Sequence, residues 1–152
     1  MSPAEDKFDD SMEPNLGDGV DMNTFNQILE MDEPGDYEFS SSIVFGFFDQ
    51  AKETFVSIED ALDDGDLETL SSLGHFLKGS SATLGLVDVR DGCEKIQRYG
   101  KKENPDGSPE PDSAVCVQRI KEAFEHVKTD FADVEKSLKQ YYDKLGVTAG
   151  DE

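Results

Sequence analysis

The sequence predicts an all-α fold, an antiparallel four-helix bundle with a short additional N-terminal helix. Three observations carry that expectation. Four segments repeat their large apolar residues at alternating steps of three and four, the mark of an amphipathic helix. No segment alternates apolar and polar residues as a half-buried strand does. Short breakers separate most of the segments, so their apolar stripes bury one another most simply as antiparallel neighbours.

Residues 1–20 are rich in Asp, Glu, Gly and Pro and poor in large apolar groups. Such a composition buries too little surface to offset chain entropy, so a disordered acidic arm is expected there. The bundle is expected over 21–146, followed by a flexible tail at 147–152. Asp21 can cap a short helix that carries Phe25, Ile28 and Leu29 on one face. A helix this short needs something to dock on. The first long helix follows Val44, Phe48, Ala51, Phe55, Ile58 and Leu62, with Phe45 and Phe47 widening the stripe until Asp63-Asp64-Gly65-Asp66 breaks it. Asp66 can cap the next, which keeps phase through Leu70, Leu73, Leu77, Ser80 and Leu84 and meets Gly85, a residue suited to a helix C-terminus. A shorter helix through Val89, Cys93 and Ile96 ends near Gly100. The loop at 101–111 holds three of the six prolines. Beyond it, apolar residues run in phase from Val117 through Ile120, Phe124, Val127, Phe131, Val134, Leu138 and Tyr141 to Leu145.

Fourteen Lys and Arg against 35 Asp and Glu leave a formal charge of −21, which repels polyanions. Nucleic acid and anionic membrane surfaces are therefore not expected as partners. Cys93 and Cys116 lie in helical patterns among apolar residues, where a thiol packs as a small hydrophobe, so buried reduced thiols are expected rather than a disulfide or a metal site. The opening MSPAEDKFDD has no basic stretch followed by an apolar one, and no run reaches membrane-spanning length. A soluble intracellular protein is expected, and a monomer, since one bundle can bury all four stripes.

His75–Gly85 reads HFLKGSSATLG, and its composition works against the helix that contains it, because an interior Gly costs ~1 kcal/mol relative to Ala. On a helical projection with Leu70 at 0°, the leucine stripe centres at about 310° and His75 falls at about 140°, on the outer face. Its neighbours there, Ser71, Ser72, Gly79 and Ala82, are all small, apart from Lys78. Gly79 gains nothing from bundle packing on that face, whereas a partner that must come close to the imidazole would explain it. Lys78 can neutralise an anion held on the ring. Between Lys78 and Lys102 lie six basic residues, Arg90 among them, against three acidic ones, so positive charge gathers around the site in a chain that is otherwise strongly negative.

These residues, followed by CEKIQRYG at 93–100, resemble the histidine phosphotransfer (HPt) domain of the fungal phosphorelay-intermediate type. The likeness extends from about Asp21 to Gly146. It implies a phosphoryl carrier without kinase activity of its own, found in cytoplasm and nucleus and serving stress signalling. His75 corresponds to the phospho-accepting histidine, Lys78 to the lysine that steadies the phosphoryl group, Gly79 to the small residue that admits a partner, and Gln97 to a polar neighbour on the adjacent helix. The implied partners are receiver domains of a hybrid sensor histidine kinase and of response regulators, docking on Ile28, Met31, Ile43, Ser71, Ser72, Phe76, Ala82 and Arg90. No cofactor or metal of the chain's own is implied; Mg²⁺ is expected on the receiver. Thr24 departs from the pattern, standing where a relative can carry an apolar contact residue.

The residues themselves agree with that role. Phosphoryl transfer rests on in-line positioning and charge stabilisation, so a carrier needs little machinery, and the chain has no phosphate-binding Gly loop and no kinase motif set. A rival from another class is a non-catalytic helical adaptor that binds a partner through the His75 face. His126, on the last helix with no second ligand one turn away, reads as an ordinary surface residue.

Overall fold

The computed structural model describes residues 19–147, and their helices follow the apolar periodicity closely. They are α1 (Met22–Leu29), α2 (Glu38–Asp64), α3 (Leu67–Leu84), α4 (Val87–Gly100) and α5 (Ser113–Lys144). Among the described residues no strand forms beyond three isolated bridges. The four long helices close a ring in which α3 packs on α2 and α4, and α5 packs on α4 and α2, with α1 laid against α2 and α3.

Four of the five helices start where a carboxylate can accept from their free N–H groups. Asp21, Asp66 and Asp112 cap α1, α3 and α5, their carboxylates accepting from the backbone N–H of Asn23, Thr69 and Ala114. The start of α2 is served from a distance: Asp32 Oδ1 accepts from Ser40 N at 2.8 Å and Asp32 Oδ2 from Ser40 Oγ at 2.6 Å. Ser40 Oγ in turn accepts from Tyr142 Oη at 2.7 Å, so a partly buried chain of hydrogen bonds ties the α1–α2 connection to the last turn of α5. Gly65 and Gly85 end α2 and α3 with φ of 67° and 78°, the left-handed conformation that glycine adopts without strain.

The core is aromatic between α2 and α5. Phe131 meets Phe47, Phe48 and Phe55 at centroid distances of 6.0, 5.8 and 5.2 Å, the last two edge-on. The α3–α4 side is built differently, by close backbone approach. A Cβ on Gly74 would lie 2.8 Å from Gln97 N and 2.9 Å from Cys93 O; one on Gly100 would lie 2.7 Å from Ser71 N. Only hydrogen fits at either point.

The acidic arm expected over 1–20 falls outside the described residues as far as residue 18. Its last two residues depart from the expectation: Gly19 O accepts from Val87 N at 3.0 Å, and Val20 is buried against Leu86. The apolar Val20 side chain fills the corner between α3 and α4, which composition averaged over twenty residues hides. The tail expected at 147–152 is likewise described only at Val147, which packs on the core while its N–H donates to Tyr142 O at 2.8 Å. In α3 the leucine spacing points about 60° away from the centre of the arc that is actually buried, because α3 faces two neighbours at once. Ser81 takes the fully buried position expected of Ser80, and Gly74 and Ser71 turn inward as well.

Cys93 and Cys116 are both free and buried. Burial pushes the Cys93 thiol up to about 12 and raises that of Cys116 too. Because the thiolate is the reactive form, neither should react with a neutral disulfide reagent at about pH 8 until denaturant is added. Thiol titration with and without denaturant checks this. The close approach of α3 and α4 makes a second prediction: Gly74→Ala should lower the unfolding free energy by about 1–3 kcal/mol through overpacking, measured by urea denaturation.

Candidate functional site

His75 stands on the exposed face of α3, one residue after Gly74. Since Gly74 lies against the peptide of Gln97, the turn of α3 that carries His75 packs on the Gln97 turn of α4. One turn on, Gly79 is exposed, and a Cβ built there would meet nothing within 4 Å. The contrast with Gly74 is chemical: one glycine lets two helices of the protein meet, and the other keeps the surface beside His75 low.

Lys78 and Gln97 line one shallow cleft of about 120 Å³ with Glu94, Arg98, Lys101 and Glu103. Gln97 Oε1 is buried there without a hydrogen-bond partner. A buried acceptor left open is costly, so it marks a place where a donor is wanted. The Arg98 hydrogen bond, helped by the charges of Lys78 and Arg98, holds the Glu94 carboxyl below its ordinary range. Arg98 is committed twice, to Glu94 at 2.9 Å and Glu103 at 3.5 Å, and Arg90 to Asp91 at 3.0 Å. Among the described residues, Lys78 and Lys101 have no carboxylate within 4.0 Å. The cations free to meet an incoming anion are therefore fewer than the run of basic residues suggests. Lys101 is a lining residue that the sequence reading did not single out; its place one helical turn after Gln97 was the available signal. Among the described residues no group of three or more His, Cys, Asp or Glu side chains could hold a metal ion.

The expected contact surface divides in two. Met31 and Phe76 are large apolar side chains left 64% and 42% exposed, Ile43 is partly covered, and Ser72 and Ala82 are exposed. Arg90 is partly exposed on the Gln97 face of α4, two turns before it. Ile28 and Ser71 do not belong to this surface. Ile28 is buried because α1 needs its apolar face to dock, and Ser71 because the Gly100 backbone covers it. Thr24 has work inside the fold as well: its hydroxyl donates to Asp21 Oδ2 at 3.1 Å, and its Cβ crowds the space beside Gly85. His126 is exposed on α5, as expected of a surface residue.

Comparison with known proteins adds independent observations. A family model described as Hpt domain matches residues 43–130. Multistep phosphorelay regulator 1 of Schizosaccharomyces pombe is 42% identical over 130 residues, covering 85% of this chain and 44% of that protein. Phosphorelay intermediate protein YPD1 of Candida albicans is 42% identical over 123 residues, covering 77% of this chain and 65% of that protein. The chain thus spans less than two thirds of the length of these curated relatives. The Saccharomyces cerevisiae histidine phosphotransfer signaling protein Ypd1, solved together with the receiver domain of its downstream response regulator Ssk1, superposes with a TM-score of 0.73 at 30% identity, covering 83% of this chain and 95% of that one.

The open space over Gly79 has a direct consequence for stability. Gly79→Ala should raise the unfolding free energy by about 0.5–1 kcal/mol, because the methyl group meets no obstacle and helix propensity improves. A urea midpoint that falls instead would show that the surface beside His75 is not open.

Proposed function

The chain belongs to the Hpt-domain family, and from that premise we propose that it is a phosphorelay intermediate in which His75 carries the phosphoryl group between two receiver domains. An unprotonated imidazole nitrogen of His75 attacks the phosphorus of a receiver's aspartyl phosphate. The N–P bond forms as the bond from phosphorus to the carboxylate oxygen breaks, and the aspartate leaves with the electron pair. The second transfer runs the same exchange in the opposite sense, onto the aspartate of a response regulator.

The observation that carries this reading is the exposed histidine with cleared space one turn away and an unpaired lysine beside it. In-line displacement requires the receiver's aspartate to come within reach of the ring, and a side chain larger than hydrogen at residue 79 would hold it off. Lys78 offsets the charge of the phosphoryl oxygens, and the Gln97 side chain lines the same cleft. Mg²⁺ and the acidic groups that bind it come with the receiver. Met31 and Phe76 supply apolar contact, and the cationic rim of Lys78 and Lys101 favours a partner whose active site is acidic. The upstream receiver is that of a hybrid sensor kinase, and the chain needs no kinase activity of its own.

Mixing the chain with a phosphorylated receiver domain and Mg²⁺ should transfer phosphate that is acid-labile and base-stable, as expected of a phosphoramidate. His75→Gln should accept none while still binding the receiver, and ATP alone should label neither protein. Gly79→Ala, more stable than the parent, should transfer more slowly. Binding without transfer by the unaltered chain, tested against several active receivers, would leave an adaptor that docks through the same face.

A further inference from the structure

On the side of α4 away from Gln97, a second cleft of about 420 Å³ opens between α4 and α5, and the proposed relay makes no use of it. Its lining includes Lys95, Arg119 and His126, with Tyr99 beneath them and Glu122 as the one acid. Arg119 Nη1 contacts Glu122 Oε1 at 3.2 Å, which leaves the Lys95 ammonium facing a cleft with little to balance it. In a chain of net charge −21, a cleft whose basic groups outnumber its acids calls for an anionic occupant.

The course of the chain points to one. Gly19 lies against the same two helices farther along: its carbonyl accepts from Val87 N, and a Cβ on it would lie 3.2 Å from Asp88 Oδ2 and 3.8 Å from Val134 Cγ2. The first described residue therefore lies between α4 and α5. Lys95 lies seven residues beyond Asp88 and Tyr99 eleven, about 10 and 16 Å along the helix. Three to five extended residues, at about 3.3 Å each, are the fewest that cover that distance, so Asp9–Glu13, six to ten residues before Gly19, reach it with slack. The preceding segment holds six acids (Glu5, Asp6, Asp9, Asp10, Glu13 and Asp18) against Lys7, with Phe8, Met12 and Leu16 between them.

We propose that residues 1–18 dock along the α4–α5 groove of their own chain, with the carboxylates around Asp9–Glu13 meeting Lys95, Arg119 and His126. Asp88 lies beside Gly19 and close enough to Asp130 for the two to repel, so like charge discourages contact at Asp18, and the match begins only past Gly92. The apolar residues of the segment have the Tyr99 ring and Ala123 to lie on. The tether supplies an effective concentration in the millimolar range, so modest contacts suffice where a free anion of equal charge would bind poorly. Docked there, the segment masks positive charge on α4 while leaving His75, Lys78 and Gly79 open to a receiver.

The test places a nitroxide on the full chain at Ser11→Cys, the two native thiols being buried, and compares amide signals before and after reduction of the label. Docking predicts that Lys95, Tyr99, Arg119 and His126 lose most of their intensity. They should recover in the same labelled chain carrying Lys95→Glu and Arg119→Glu. If that variant does not fold, they should recover instead at 1 M salt, where the Debye length falls to about 3 Å. Loss spread evenly over the surface would overturn the proposal, as would loss centred on His75 and Phe76. A mixture of spin-labelled chain with isotope-labelled chain that lacks the nitroxide should show no such loss; loss there would assign the groove to a second copy.

Discussion

The rest of the site depends on two backbones meeting without side chains between them. At Gly74 and Gly100 the helices α3 and α4 approach so closely that a single methyl group would strike peptide atoms at 2.7–2.9 Å. Backbone cannot rotate away as a side chain can, so the contact sets the register of one helix on the other. His75 follows Gly74 and Gln97 faces it, and their relation is therefore inherited from packing. Gly92 makes room for a side chain instead, the Val127 Cγ2 methyl of α5.

Electrostatics then acts on a small scale within a large negative background. Most of the positive charge on α4 is spent locally, Arg98 on Glu94 and Glu103 and Arg90 on Asp91. These pairs are partly exposed and add little stability. Their effect is to leave Lys78 and Lys101 as the cations at the cleft that face outward without a fixed partner. A carrier gains from that arrangement, since a cation already paired would have to give up one anion before steadying another.

Periodicity made the helices legible because burial against a neighbour repeats with the helix turn, and their caps were legible because Asp21, Asp66 and Gly85 have specific local chemistry. The exposed position of His75 was also legible, and it survived a shift of the buried arc because the ring lies far from either direction. What spacing along one helix could not show was the second neighbour. Ser71 and Ser81 look like surface residues until α4 is placed beside them, and Ile28 looks available until α1 must dock. Val20 was lost for another reason, as one apolar residue at the end of an acidic stretch. Among the tyrosines, Tyr141 fitted the spacing, yet Tyr142 is the fully buried one, because only its hydroxyl reaches Ser40.

That hydroxyl bears on how short the protein can be made. The family match stops at residue 130, and a fragment cut to it would begin inside α2 and end in the middle of α5. It would keep His75, Lys78 and Gln97, yet lose α1 with Met31, the capping Asp32 and the tyrosine that braces it. Phe131, the ring against which three phenylalanines of α2 pack, would go as well. The smallest autonomous unit is therefore longer than the stretch that carries the chemistry at both ends, and the extra length is what holds the reactive face in shape.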